Sequence, residues 1–171
     1  MIIIETAQHA DAPFLPDIER ASGKAFLQLP RLAWIAEDDV QSVERHVELI
    51  ATGQAWVAKS RGVIVGFLNA EITDNVLHIW QMAVHAESQK MGVGRALVAT
   101  AKTAAASAGL SALTLTTFRN VAWNEQFYTS CGFKTLTSKS LGQRLKDILD
   151  AEARAGLPRD QRCAMICRIQ E

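Results

Sequence analysis

The sequence predicts a mixed α/β domain, a largely antiparallel sheet flanked by helices, and three observations carry that expectation. Apolar, β-branched runs at 54–60, 63–73 and 76–84 are joined by the tight-turn pairs Arg61-Gly62 and Asp74-Asn75, which describes an antiparallel meander. A helical stretch then separates the third run from a further strand, and this strand–helix–strand crossover brings parallel pairing into the same sheet. Finally, 171 residues with 49% apolar and 21% charged side chains fit one domain, expected over 1–171, that folds without a metal or a disulfide.

Each element follows from its local pattern. Ile2 to Thr6 reads as a first strand. His9 to Phe26 reads as a helix, with Asp11 and Pro13 near its start and Leu15, Ile18, Ala21 and Phe26 as apolar positions. Pro30 discourages a continuous helix through 27–36. Asp38 to Ala51 is helical by the spacing of Val40, Val43, Val47 and Ile50, and Gly53 stops it. After the meander, Gly92 to Ala108 is an alanine-rich helix ended by Gly109. Leu113 to Thr117 is a strand, Ala122 to Ser130 a helix, and Phe133 to Thr137 a strand. Leu141 to Ala155 is helical until Gly156-Leu-Pro158 breaks it, and Cys163 to Ile169 closes the chain as a seventh strand.

Composition excludes several functions. Eighteen basic against eighteen acidic side chains leave no net charge, so the broad basic footprint of a nucleic-acid-binding protein is missing. No apolar run is long enough to span a membrane, and Met1-Ile-Ile-Ile4 followed by Glu5 lacks the basic start of a signal peptide. Cys131, Cys163 and Cys167 have neither disulfide-scaffold numbers nor zinc-ligand spacing. Reduced cysteines in a cytoplasmic protein are the expectation, with no membrane or nucleic-acid partner and no metal.

The most informative segment is Val84-His-Ala-Glu-Ser-Gln-Lys-Met-Gly-Val-Gly-Arg-Ala-Leu97. A strand ends, and Gly92 and Gly94 open a helix. Glycine allows a ligand close to the backbone amides. Those first amides lack intrahelical acceptors and sit at the positive end of the helix dipole. The result is a seat for phosphate or pyrophosphate, with Lys90 and Arg95 adding charge. Leu97 occupies the third glycine position of a dinucleotide fingerprint, and the lysine signature of a nucleotide-triphosphate loop is absent.

Gln89-Lys-Met-Gly92-Val-Gly94 resembles the Q/R-x-x-G-x-G/A motif of the GNAT N-acetyltransferase superfamily, which binds acetyl-coenzyme A. Met82-Ala-Val84 precedes it as that family's fourth strand does. Asn120-Val-Ala-Trp-Asn124-Glu-Gln-Phe-Tyr128-Thr-Ser-Cys-Gly132-Phe133 is similar to the second family signature, a helix ending in tyrosine and then Gly-Phe entering a strand. The resemblance runs from Ile2 to Ile169 by element order and is sharpest from Leu77 to Phe133. It implies a seven-stranded, mostly antiparallel GNAT sheet splayed between strands four and five.

The resemblance also implies a chemistry. Gln89, Lys90, Met91, Gly92, Val93, Gly94 and Arg95 would hold the pyrophosphate of acetyl-CoA. Met82, Ala83 and Val84 would offer backbone groups to the pantetheine arm, and an amide near Val84 would support the carbonyl oxygen. Tyr128 matches the family's proton donor to the departing thiolate; a phenol with an ordinary pKa of about 10 keeps its proton at neutral pH. Asn124, one helical turn before Tyr128, is the expected contact to coenzyme A, while Asn120 is equally well a helix cap. Trp123 would pack beside the cofactor and Phe127 in the core.

No general base is legible. Glu71 and His78 lie on strands facing the expected acceptor side, Gln81 could order a water, and a water chain would serve instead. A strand histidine is ordinarily a packed residue. Cys131 lies close to Tyr128, but no histidine beside it would activate a covalent route.

The acceptor regions implied by the family are 17–36 and 138–162. The first carries Glu19, Arg20, Phe26 and Trp34, where Glu19 and Arg20 read as a solvated helix face. The helix inserted before the last strand would cover the acceptor pocket or support a homodimer. A small-molecule primary amine is the expected acceptor. The alternatives are a protein lysine or N-terminus, and a non-catalytic acyl-coenzyme A-binding module.

Overall fold

Ile2–Thr6 (β1), Ala55–Ser60 (β2), Val63–Thr73 (β3), Val76–Val84 (β4), Ala112–Phe118 (β5), Lys134–Thr135 (β6) and Arg162–Arg168 (β7) form one sheet of order β1-β2-β3-β4-β5-β7-β6 in this computed structural model. Residues 1–169 are described, so the expected span of 1–171 reaches beyond them at its last two positions. β4 and β5 run parallel, with Val76 to Ile79 in register with Ala112 to Leu115. The pairs β1–β2, β2–β3, β5–β7 and β6–β7 are antiparallel. The mixed sheet with its flanking helices is the α/β class that the sequence predicts.

Both meander turns have the conformation their residues favour. Arg61 and Gly62 stand at φ +50° and +79°, and Asp74 and Asn75 at +47° and +63°. Two consecutive left-handed residues match the twist of a two-residue hairpin, and Asn, Asp and Gly tolerate that region best.

The helices are Leu15–Gly23 (α1), Val43–Ala51 (α2), Val93–Ser107 (α3), Glu125–Ser130 (α4) and Gln143–Arg154 (α5). All are shorter than the sequence predicts, α3 and α5 by one or two residues at each end and the other three by more, each of those for a local reason. The single helix expected over 9–26 is a 3-10 helix at His9–Phe14, then α1 with Pro16 in its first turn, then a 3-10 helix at Lys24–Gln28. Proline cannot donate within a helix interior, so the chain restarts there. The helix expected from Asp38 begins at Val43, because Ser42 caps it by accepting the Arg45 amide at 3.1 Å. The helix expected from Ala122 begins at Glu125, because 121–124 form a separate turn closed by the Asn124 amide on the Val121 carbonyl at 3.0 Å, and Asn124 itself has non-helical backbone (φ -121°, ψ -105°). The strand expected over 133–137 is only two residues long.

The fold comprises two units, 1–71 with 80–101, and 72–79 with the chain from Lys102 onward. In the first, Ala7, Leu15, Ile18, Ala55, Val57, Phe67 and Ala83 form a core that joins α1 to the sheet, with Ile50 and Ile64 packed against it. In the second, Leu145 and Leu149 of α5 bury against Ala164 of β7, and Leu136, Leu141 and Ile148 extend the cluster. Burial of such side chains supplies roughly 1.5–3 kcal/mol each. No described helix is long and apolar enough to cross a membrane.

Candidate functional site

In the first unit, β4 leads through Met82, Ala83 and Val84 into the glycine-rich turn. His85 caps a one-turn 3-10 helix at Ala86–Ser88, its Nδ1 accepting the Glu87 amide at 3.3 Å. Gln89 then folds back, and its Nε2 donates to the Val84 carbonyl at 3.1 Å. That bond fixes the turn to the end of the strand. Lys90 and Gly92 both adopt left-handed backbone, at φ +63° and +81°. α3 starts at Val93, whose side chain is buried, while Met91, Lys90 and Arg95 are exposed. No atom lies within 4 Å of where a Gly92 Cβ would stand, so the backbone is open to a ligand on that side. The leading amides of a fifteen-residue helix are thus presented beside an open glycine.

Gly66 is a contributor that the motifs do not reveal. A Cβ there would stand 3.1 Å from the Ala83 carbonyl oxygen and 3.1 Å from Val93 Cγ1. The missing side chain lets α3 settle onto β3 and β4, which sets where its first turn lies. An isolated glycine inside a strand pattern is the one signal that could have found it.

In the second unit, Asn124 and Tyr128 sit on α4. Tyr128 is buried between Phe127 and Phe133, with ring centroids 5.2 and 5.7 Å away in edge-to-face arrangements. The Phe133 amide donates to the Tyr128 carbonyl at 3.0 Å, which turns the chain at Gly132 (φ +96°) from helix to strand. Burial pushes the phenol's pKa above its ordinary value, further than the expected unperturbed hydroxyl. The proton is therefore held more firmly. Asn124 Oδ1 is buried and has no hydrogen-bond partner. Asn120 is not the helix cap: Asn124 holds that position, and makes no side-chain cap bond. Trp123 is partly exposed, 37%.

The base candidates fare differently. His78 is buried, with Nδ1 2.9 Å from Thr114 Oγ1, and Arg144 Nη2 donates to the same hydroxyl at 2.9 Å. The hydroxyl has a second lone pair and one proton left for Nδ1, so this contact holds the ring in place in either neutral tautomer. Burial, with the Arg144 charge adding to it, lowers the His78 pKa to about 3. The ring is thus packed inside the fold, and so low a pKa makes it a weak base. Glu71 accepts from Trp80 Nε1 at 3.0 Å and lies 3.9 Å from Arg45 Nη2. Gln81 is partly buried on β4.

Glu19 departs from expectation. It is not on a solvated face: its carboxylate accepts the Gln41 amide at 3.3 and 3.4 Å, and burial raises its pKa to about 7. Gln41 in turn accepts from Asn69 Nδ2 at 2.7 Å, and the same amide group lies 3.3 Å from His46 Nδ1. Arg20 does face solvent, paired with Asp17 at 2.7 Å. The charges at 19 and 20 gave no signal of this difference; only the partner at 41 makes it. Cys131, Cys163 and Cys167 are buried, and no three potential ligands gather to hold a metal among the described residues.

Comparison with known proteins agrees with this architecture. Residues 23–133 match the acetyltransferase (GNAT) family. Among solved structures, the chain is similar to the PaiA N-acetyltransferase from Thermoplasma acidophilum in complex with coenzyme A. That match has 19% identity, 99% coverage of both chains and a TM-score of 0.73. A GNAT-family acetyltransferase from Staphylococcus aureus is 14% identical, with 99% and 100% of the two chains covered and a TM-score of 0.73. The ribosomal-protein-S18-alanine N-acetyltransferase from Escherichia coli is 16% identical, with 100% and 96% covered and a TM-score of 0.67.

Proposed function

The chain belongs to the acetyltransferase (GNAT) family, whose enzymes use acetyl-CoA, and we propose from this premise that it acetylates a primary amine of a small molecule by direct attack in a ternary complex. The observation that carries the reading is the turn at 89–95. Left-handed Lys90 and Gly92 present the first amides of α3 beside an open glycine, as a pyrophosphate requires. Asn124 Oδ1 offers a second fit, because a buried acceptor without a partner is satisfied by a ligand N–H.

Acetyl-CoA supplies an acetyl group already activated as a thioester. In this reading Gln89, Lys90, Met91, Gly92, Val93, Gly94 and Arg95 hold the pyrophosphate. Met82, Ala83 and Val84 offer backbone groups to the pantetheine arm. Asn124 Oδ1 accepts from an amide of that arm. The Val84 amide supports the carbonyl oxygen as charge gathers on it. Tyr128 keeps its proton until the sulfur leaves and then donates it, and the phenolate recovers the proton that the amine gives up. Burial guarantees the protonated hydroxyl at neutral pH but makes it a weaker acid than an exposed phenol. With burial making His78 a weak base, water takes the amine's proton.

A small acceptor is supported by α5, which is packed onto β7 through Leu145, Leu149 and Ala164, where an extended peptide would need an open strand face. Thiol release from acetyl-CoA, followed across small amines and peptides, tests the proposal. Turnover with small amines is expected. Turnover with peptides alone identifies a protein acetyltransferase, and binding with no turnover identifies an acyl-coenzyme A-binding module.

A further inference from the structure

Glu125 lies within the second signature segment and has been given no role there, yet its carboxylate joins four segments of the second unit. Oε1 accepts the backbone N–H of Asn120 at 2.9 Å. Oε2 accepts the Thr135 hydroxyl at 2.7 Å and the Cys163 thiol at 3.6 Å. Asn120 is the left-handed residue of the turn that leads into α4, Thr135 lies on β6 and Cys163 on β7. α4 itself has six residues and no side-chain cap, and a helix that short has almost no stability of its own. Its position therefore depends on what ties it down. On the C-terminal side the tie is the Phe133 amide on the Tyr128 carbonyl; on the N-terminal side it is Glu125.

The carboxylate is suited to the task. Burial pulls its pKa up, but the hydrogen bonds from Thr135, Asn120 and Cys163, with the Arg119 charge, outweigh that and hold it below the ordinary value. Burial and the neighbouring Glu125 charge raise the Cys163 thiol to about 12, so it remains a donor.

We propose that Glu125 is a positioning residue for acetyl transfer: by fastening the first turn of α4 to the Asn120 turn, β6 and β7, it fixes where Tyr128, three residues on, presents its hydroxyl. The inference rests on the reading of Tyr128 as proton donor. Misplacing a reacting group by about 1 Å can cost on the order of a hundredfold in rate, far more than one lost hydrogen bond costs in stability.

A double-mutant cycle on the full chain tests it. Glu125→Ala should lower kcat by at least about tenfold, while KM for acetyl-CoA stays within about twofold. Glu125→Gln, which keeps one acceptor oxygen, should recover part of that loss. In a Tyr128→Phe background, Glu125→Ala should cost less than about twofold, because the group it positions is gone. Tyr128 is the only tyrosine in the sequence, so a ¹³Cζ-tyrosine label gives one resonance, which should shift in Glu125→Ala with no substrate present. If Glu125→Ala fails to fold, Thr135→Val removes a single donor and should move kcat and the resonance in the same directions by smaller amounts. Equal losses in both backgrounds, an unshifted resonance, or an effect confined to KM would overturn the inference while leaving Tyr128 as donor. An unchanged rate for Tyr128→Phe alone would instead overturn the donor reading, and the positioning role with it.

Discussion

Gly66 and Val93 approach so closely that a Cβ on the glycine would meet Val93 Cγ1 at 3.1 Å, with the Ala83 carbonyl oxygen at the same distance on its other side. Neither neighbour can yield cheaply, since one is backbone and the other opens α3. Gly66→Ala should destabilise the protein by about 1–3 kcal/mol, as overpacking does. A denaturant melt checks the stability. KM for acetyl-CoA should rise with it, because the helix start moves.

Gly92 makes a contrasting case. Its surroundings are open, but its φ of +81° strains any side chain. Gly92→Ala should cost only about 1 kcal/mol of stability. The larger effect should fall on binding: a several-fold weaker Kd for coenzyme A by calorimetry, with kcat at saturation nearly retained. A wild-type Kd in Gly92→Ala would show that the turn is not the pyrophosphate seat.

His46 is fully buried, and burial depresses its pKa from 6.5 to about 4. Below pH 6.5 the unfolded chain takes up a proton that the folded ring refuses. Stability conferred by the neutral ring is therefore complete above about pH 6.5 and is lost progressively as pH falls towards 4. Fully expressed, the loss is on the order of 3 kcal/mol. Melts of His46→Gln and wild type between pH 4 and 7 should show a shallower acid decline in the variant.

Glu19 works in the opposite direction. Its folded pKa of about 7 lies above the unfolded value of 4.5, so the folded state holds a proton longer than the unfolded one. Its contribution is complete below pH 4.5 and is lost as pH rises towards 7. Glu19→Gln, which keeps an acceptor for the Gln41 amide without a charge to bury, should be more stable than wild type at pH 8 and about equal at pH 4.5. Melts at those two pH values decide it.

The sheet was legible because its signals are local. Arg61-Gly62 and Asp74-Asn75 fix two turns, and β-branched runs fix the strands they join. The glycine-rich turn was legible for the same reason, since a left-handed position such as that of Gly92 favours glycine and so marks itself in the sequence. Helix starts were not. Whether α2 begins at Asp38 or Val43 depends on whether Ser42 reaches the Arg45 amide, and α4 begins late because 121–124 close into a turn of their own through the Asn124 amide on the Val121 carbonyl. Glu19 and Glu125 were invisible for a different reason. Each looks like a surface charge in sequence and becomes a partly buried acceptor only through partners distant in the chain, at 41 for the one and at 135 and 163 for the other.

In the proposed reaction Tyr128 donates the proton that lets coenzyme A leave. The direct measurement is steady-state thiol release by Tyr128→Phe and wild type on the best small amine, with acetyl-CoA saturating. General acid catalysis is worth roughly 10²–10⁴-fold, so kcat should fall by that order while KM for acetyl-CoA stays close to wild type. A variant that turns over as fast as wild type would contradict the account.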